Sequence, residues 1–189
     1  DALVSFGESA LGIIDQYFYK TGTSHRVLLR IIKLIGEIGG KKAQSFLIKK
    51  LDHPNEEVLN HILLALKKLN FESDEKTINT IHQIIEKHLG VMAYNISVQA
   101  TLGETEGFEY LKNAFNEELS ENYNLLYLLL SLAYDAKSIM HVKENIESAT
   151  TEGISFALEL LDLFIHEEIK PKLFPVVEDI SVTEKIKQL

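Results

Sequence analysis

A single apolar pattern recurs along this chain at an interval of about 31 residues. The pattern in residues 24–39, SHRVLLRIIKLIGEIG, returns in residues 55–70 as NEEVLNHILLALKKLN. Its spacing of i, i+3, i+4 and i+7 places the apolar side chains on one face of a helix. A shift of 126 residues brings the pattern onto a third copy, which contains Ile154, Ala157, Leu160, Leu161 and Phe164. Such recurrence is typical of a helical solenoid, in which each copy buries its stripe against its neighbours.

Polar residues and glycines mark the ends of the first two copies. Ser24 and Asn55 each precede a stripe, where a side-chain oxygen can cap the first turn of a helix. Gly39 and Gly40 follow the first stripe and predict the end of its helix, because glycine tolerates a left-handed backbone. A shorter helix is expected over residues 41–51, followed by a turn at residues 52–54, Asp-His-Pro.

Residues 71–135 depart from this period. We expect two long antiparallel helices over residues 74–134, each of roughly 28 residues or about 42 Å. The three residues 103–105, Gly-Glu-Thr, separate them, and Gly90 or the polar residues 117–124 could split them. The first stripe consists of Ile78, Ile81, Ile85, Leu89, Met92 and Ile96, and the second of Phe108, Leu111, Phe115, Leu119, Leu126, Leu129 and Ala133. Further helices are expected over residues 136–147, 151–166 and 170–178, with a short tail at 181–189 that starts another helical turn.

The order of a helix, an Asp-x-Pro turn and a second helix led by Val resembles the HEAT repeat, in its short bacterial (PBS-lyase HEAT-like) form. The resemblance covers residues 8–70 and 136–178. It implies an all-α fold, an α-α superhelix of the HEAT or armadillo type with about nine helices and a longer central hairpin, forming one solenoid domain over residues 1–189. HEAT repeats usually carry Arg directly after that Val. Leu28 and Leu59 stand there instead, so a ladder of Asp–Arg pairs is not expected.

Residues 3–69 also resemble the HEAT-repeat region of bacterial ADP/ATP-translocase-like membrane proteins of the major-facilitator type. The segments LLYLLLSLAYDAKSIMHVKENIES, FALELLDLF and KLFPVVEDIS share this resemblance. In that family HEAT repeats follow a membrane part and often precede a cyclic-nucleotide-binding domain. The resemblance implies a cytoplasmic scaffold belonging to an inner-membrane protein, and no transporter residue can be carried over. The start at Asp1, without a signal-peptide pattern, predicts a piece of a longer protein.

The residues that most enzymes rely on are absent or scattered. There is no cysteine, no Gly-x-Ser-x-Gly and no His-Glu-x-x-His, and the seven histidines show no metal-ligand spacing. The segment from Gly36 to Lys42 lacks the spacing and the preceding strand of a phosphate loop. We therefore expect no enzyme activity, no cofactor and no metal. The alternatives left open are a protein resembling the bilin lyases and a stand-alone protein-binding adaptor.

Charge is distributed unevenly. The net charge is −9, but residues 1–70 carry ten Lys/Arg against seven Asp/Glu, which is +3, and the rest carry nine against twenty-one, which is −12. This acidic balance argues against nucleic-acid binding, which needs a positive footprint. One basic cluster is a candidate patch for an acidic protein, a membrane domain of the same chain, or anionic lipid headgroups. Its alternative is a set of cations that favour helix C-termini and solubility. The cluster consists of Lys41, Lys42, Lys49, Lys50, Lys67 and Lys68.

Overall fold

The computed structural model describes residues 2–18, 20, 22–103, 107–178 and 180–188, and throughout these residues the regular structure is helical, with no strand. The expectation of an all-α chain is therefore confirmed. The helices are α1 (Ala2–Ser5), α2 (Leu11–Phe18, after a 3-10 turn at Gly7–Ala10), α3 (His25–Ile38), α4 (Gly40–Ile48), α5 (Glu56–Lys68), α6 (Glu75–Leu102), α7 (Glu109–Ala133), α8 (Ala136–Glu147), α9 (Thr151–Phe164), α10 (Lys170–Val177) and α11 (Val182–Gln188).

The chain divides into two compact units, and the single solenoid domain over residues 1–189 stays a prediction. The first unit is Asp1–Thr77 and the second is Ile78–Leu189. The boundary falls within the first turn of α6, so α1 to α5 build the first unit and nearly all of α6 belongs to the second. No helix in the described part of the chain is long and apolar enough to cross a membrane.

In the first unit, the repeated helices begin and end close to the polar residues and glycines that predict their ends. Helix α3 begins at His25 as expected, but the Ser24 side chain makes no capping hydrogen bond. Asn55 does cap α5, because its side-chain oxygen accepts a hydrogen bond from the Val58 backbone N–H at 3.0 Å. Gly39 has a φ of 71°, and α4 starts directly after it and stops at Ile48, three residues before the expected end.

Helices α3 and α5 run parallel, with α4 antiparallel to α5. His25 at the start of α3 pairs with Glu57 at the start of α5, and Gly36 near the end of α3 meets Ala65. The Gln44 side-chain amide of α4 donates a hydrogen bond to the Leu69 carbonyl, at 3.0 Å. The repeated stripes meet between these helices and, together with Leu47 of α4, contribute these buried residues to the core of the first unit: Ile31, Ile32, Ile35, Val58, Ile62, Leu63 and Leu66.

In the second unit, α6 and α7 form the predicted antiparallel hairpin. Neither Gly90 nor residues 117–124 interrupt them. Three side-chain hydrogen bonds join the helices in antiparallel register: His88 with the Asn122 carbonyl at 2.9 Å, Asn95 with Glu118 at 3.1 Å and Gln99 with Asn116 at 2.9 Å. Within the expected connection, residues 104 and 105 lie outside the described residues.

Burial along α7 differs from the expected continuous stripe. The α6 stripe is buried from Ile81 to Ile96, but Phe108 and Leu111 at the start of α7 are exposed. The second half of α7 is the part that gains partners, since Lys143 of α8 bonds Asn124, and Tyr123 donates a hydrogen bond to the Val176 carbonyl of α10. In the described part of the chain, the start of the α7 stripe is therefore exposed and its second half is buried.

The C-terminal helices follow the expected order. Helix α8 has the expected bounds, whereas α9 ends two residues and α10 one residue early. Asp135 caps α8 through the Ser138 N–H at 2.8 Å, and Thr150 caps α9 through the Gly153 N–H at 3.1 Å. The tail continues beyond a single turn, as α11.

Candidate functional site

A groove of about 430 Å³ lies between α3 and α5 in the first unit. Its floor is apolar and its rim is basic. The floor consists of Leu29, Ile32, Gly36, Leu64 and Ala65, and the rim of Arg26, Arg30, Lys33, His61 and Lys68. We call this feature the basic groove.

Helical periodicity explains why these side chains converge. Arg26, Arg30 and Lys33 stand at i, i+4 and i+7 on α3, so they share one face and span about 10.5 Å along the helix. His61 and Lys68 are likewise seven residues apart on α5. Because α3 and α5 are parallel, the two rows lie side by side and enclose the floor between them.

Close approach of the two helices sets the depth of the groove. A Cβ atom added to Gly36 would lie 3.4 Å from the Ala65 Cβ, which is ordinary van der Waals contact. Gly36 and Ala65 therefore bring the helix backbones together, and larger residues there would fill the floor. Leu64 is 46% exposed beside them and offers apolar surface to a ligand.

The rim is a region of uncompensated positive charge. Among the described residues, Arg26, Arg30, Lys33 and Lys68 have no carboxylate within 4.0 Å, and no acidic residue lines the groove. The His61 ring donates a hydrogen bond from Nδ1 to the Glu57 carbonyl at 2.9 Å, which leaves Nε2 for a ligand. A group of cations around an apolar floor suits a ligand that is both anionic and apolar.

The predicted lysine cluster is divided by the structure. Lys41 and Lys42 begin α4 near the C-terminal end of α5, where Lys67 and Lys68 lie, whereas Lys49 and Lys50 follow the opposite end of α4. Lys50 is buried and pairs with Asp15 at 2.9 Å, and Lys42 pairs with Glu8 at 3.2 Å. Lys68 is the one member of the predicted cluster that lines the basic groove. Partner binding by the exposed lysines stays a prediction.

Sequence reasoning overlooked Arg26, Arg30, Lys33 and His61. The spacing of the three α3 cations predicts that they share one polar face of the helix. The sequence does not predict that this face of α3 lies beside His61 and Lys68 of α5, because that depends on how the two helices pack.

The second unit contains a histidine cluster, formed by His82, His166 and Tyr134, whose members contact one another. The Tyr134 hydroxyl bonds His82 Nε2 at 2.9 Å and accepts a hydrogen bond from the His166 backbone N–H at 3.2 Å. The His82 and His166 rings lie 5.5 Å apart. Burial, with the His166 charge as the second cause, lowers the pKa of His82 below its usual value. In the described part of the chain no three His, Cys, Asp or Glu residues are placed to hold a metal ion.

A second cavity of about 350 Å³ lies along α7 and the end of α8. Its lining is mainly neutral and includes Asn116, Leu119, Tyr123, Tyr127 and Ile146. Burial raises the pKa of the Tyr123 phenol to about 12, so this hydroxyl is neutral and donates to Val176. This cavity lacks the charge that distinguishes the basic groove.

No known protein family, curated protein or solved structure matches this chain. We therefore infer function from the geometry and charge of the sites themselves.

Proposed function

We propose that this protein is a non-catalytic protein-interaction module of the HEAT type, and that the basic groove is where it holds an acidic amphipathic helix of a protein partner. The observation that carries the proposal is the set of four cations that, among the described residues, lack carboxylate partners and surround an apolar floor on which Leu64 is exposed. Helix-in-groove binding uses this combination, since apolar anchors fill the floor and flanking charges fix the register.

The floor favours a helix over a phosphate-rich ligand. A nucleic-acid backbone satisfies cations but offers nothing apolar to Leu29 and Leu64. An acidic amphipathic helix satisfies the rim and the floor together.

The packing of the first unit supports the HEAT part of the proposal. Parallel α3 and α5, with α4 antiparallel to α5, suit stacked helix pairs that present a row of second helices. The finer proposal, a cytoplasmic HEAT scaffold of a bacterial nucleotide-transporter-like membrane protein, rests on the sequence resemblance. Finding no transmembrane segments encoded upstream in the parent gene would remove it.

The direct test is a titration of the protein into a fluorescently labelled acidic peptide designed as an amphipathic helix. Its two apolar anchors stand seven residues apart and are flanked by Glu. The variant Arg30→Glu/Lys33→Glu should weaken binding at least about tenfold, because two ion pairs become repulsive contacts. The matched control Lys87→Glu/Lys187→Glu carries the same charge change at exposed positions outside the groove and outside the predicted lysine cluster, and it should bind like the wild type.

Two outcomes would overturn the proposal. One is equal weakening by both variants, which would reduce the effect to net charge. The other is groove-dependent binding to anionic lipid vesicles with no binding to the peptide, which would assign the groove to lipid.

A further inference from the structure

Helix α9 presents an exposed face that complements the basic groove. Phe156 and Leu163 are 52% and 82% exposed, although both are large and apolar. Glu152 and Glu159 share their face at i, i+4, i+7 and i+11, and α9 contains no basic residue. Neither of these glutamates has a basic side chain within 4.0 Å among the described residues.

The spacing of the two surfaces matches. Glu152 and Glu159 are seven residues apart, as are Arg26 and Lys33 on the rim of the groove, so both pairs span about 10.5 Å. Phe156 and Leu163 are separated by the same interval and face in nearly the same direction. An α-helix with this pattern places two apolar anchors over the floor while its carboxylates reach the cations.

We infer that the basic groove of one copy of this protein binds α9 of a second copy. This inference rests on the proposed function, since it names the helix that the groove holds. The interaction joins two different surfaces, so it forms either a closed dimer with two reciprocal contacts or a longer head-to-tail assembly.

The contact belongs to the weak class of interfaces. One helix in one groove buries less surface than a stable complex of standard size needs, so we expect reversible association in the micromolar range or weaker. Because the paired charges are exposed at the rim, added salt should shift the equilibrium toward monomer.

Analytical ultracentrifugation of the whole chain tests the inference. The wild type should change from monomer to a larger species between about 1 µM and about 500 µM, a range that spans weak affinities. Both the groove variant Arg30→Glu/Lys33→Glu and the helix variant Glu152→Lys/Glu159→Lys should remain monomeric. All four side chains are exposed, and circular dichroism verifies that each variant is folded.

Mixing the two variants gives the decisive result. The acidic groove of one then meets the basic α9 of the other, and the unchanged groove and helix also match, so an equimolar mixture should associate again. The control Lys87→Glu/Lys187→Glu keeps both the groove and α9 unchanged, so it should self-associate on its own like the wild type.

The failures can be told apart. A wild type that stays monomeric at the highest concentration while its groove still binds the acidic peptide overturns self-association and leaves the proposed function standing. Loss of peptide binding as well overturns both. Association that survives both variants, or a mixture that stays monomeric, places the contact elsewhere and also overturns the inference.

Discussion

Two groups of basic side chains in the first unit behave in opposite ways. At the α2–α4 contact, Lys50 is 6% exposed, pairs with Asp15, and lies 5.1 Å and 5.0 Å from the ring centroids of Phe18 and Phe46. In the basic groove, the cations are exposed and lack carboxylate partners in the described structure. A buried and paired cation stabilises the fold, whereas an exposed and unpaired cation is free to bind a partner.

The largest effect is expected from reversing the charge of Lys50. Lys50→Glu places a carboxylate in a buried position beside Asp15 and should lower the free energy of unfolding by about 3 kcal/mol. Its neighbour Lys49 is exposed, so Lys49→Glu should change that free energy by less than about 0.5 kcal/mol. Urea unfolding measures both. Equal losses would mean that burial does not distinguish the two lysines.

A charge on the groove floor should affect binding more than stability. Leu64→Glu puts a carboxylate where an apolar anchor docks and should weaken binding of the acidic peptide by about tenfold, or about 1.4 kcal/mol. Val27 is similarly exposed, at 42%, on α3 but outside the groove, so Val27→Glu is the matched control and should bind normally. Normal binding by the Leu64 variant would remove the floor from the site.

The caps of the two groove helices provide a smaller contrast. Asn55→Ala removes the hydrogen bond to the Val58 N–H and should cost about 1 kcal/mol of stability. Ser24 makes no such bond, so Ser24→Ala should lower the free energy of unfolding by less than about 0.3 kcal/mol, as is usual for a substitution at the surface. The midpoints of urea unfolding at a constant m value measure both losses. Equal shifts of the two midpoints would show that the Ser24 and Asn55 side chains both cap their helices in solution.

The smallest effect is expected at the histidine cluster of the second unit. There the His82 ring is hydrogen-bonded to the Tyr134 hydroxyl, whereas the cations of the groove have no carboxylate partner among the described residues. Because the pKa of His82 is lowered in the folded state, the unfolded chain binds a proton more readily. Stability from this group is therefore full above the usual histidine pKa of about 6.5 and is lost as the pH falls through the lowered folded pKa. His82→Gln should reduce the loss of stability between about pH 7.5 and pH 5, which surround that value. An unchanged pH dependence would contradict this assignment.

The sequence predicted local structure well where a single residue determines where a helix begins. Asn55 caps α5 as expected, because an Asn side chain reaches the N–H three residues ahead in its own chain. Ser24 has the same opportunity but does not use it, although its helix begins at the expected residue. The long hairpin also followed from the sequence, because only the three residues 103–105 separate two long apolar stripes.

The candidate site was only partly predictable for a physical reason. The sequence predicts one patch of lysines, but α4 separates the two ends of this cluster and Lys50 is buried and paired with Asp15. The basic groove combines one polar face of α3 with one of α5, and each face alone resembles an ordinary solvated surface. His82 and Tyr134 are likewise far apart in sequence and meet only in the folded unit.

The sequence by itself determined that this chain is helical and where most of its helices begin and end, because periodicity and capping act within a few residues. Tertiary structure decided which copies of the repeated stripe are covered. Val58 is fully buried while Val27, its counterpart one repeat earlier, is exposed. It also decided which cations find carboxylates. These outcomes depend on neighbours that lie far away along the chain, and one repeated pattern cannot specify different neighbours for each of its copies.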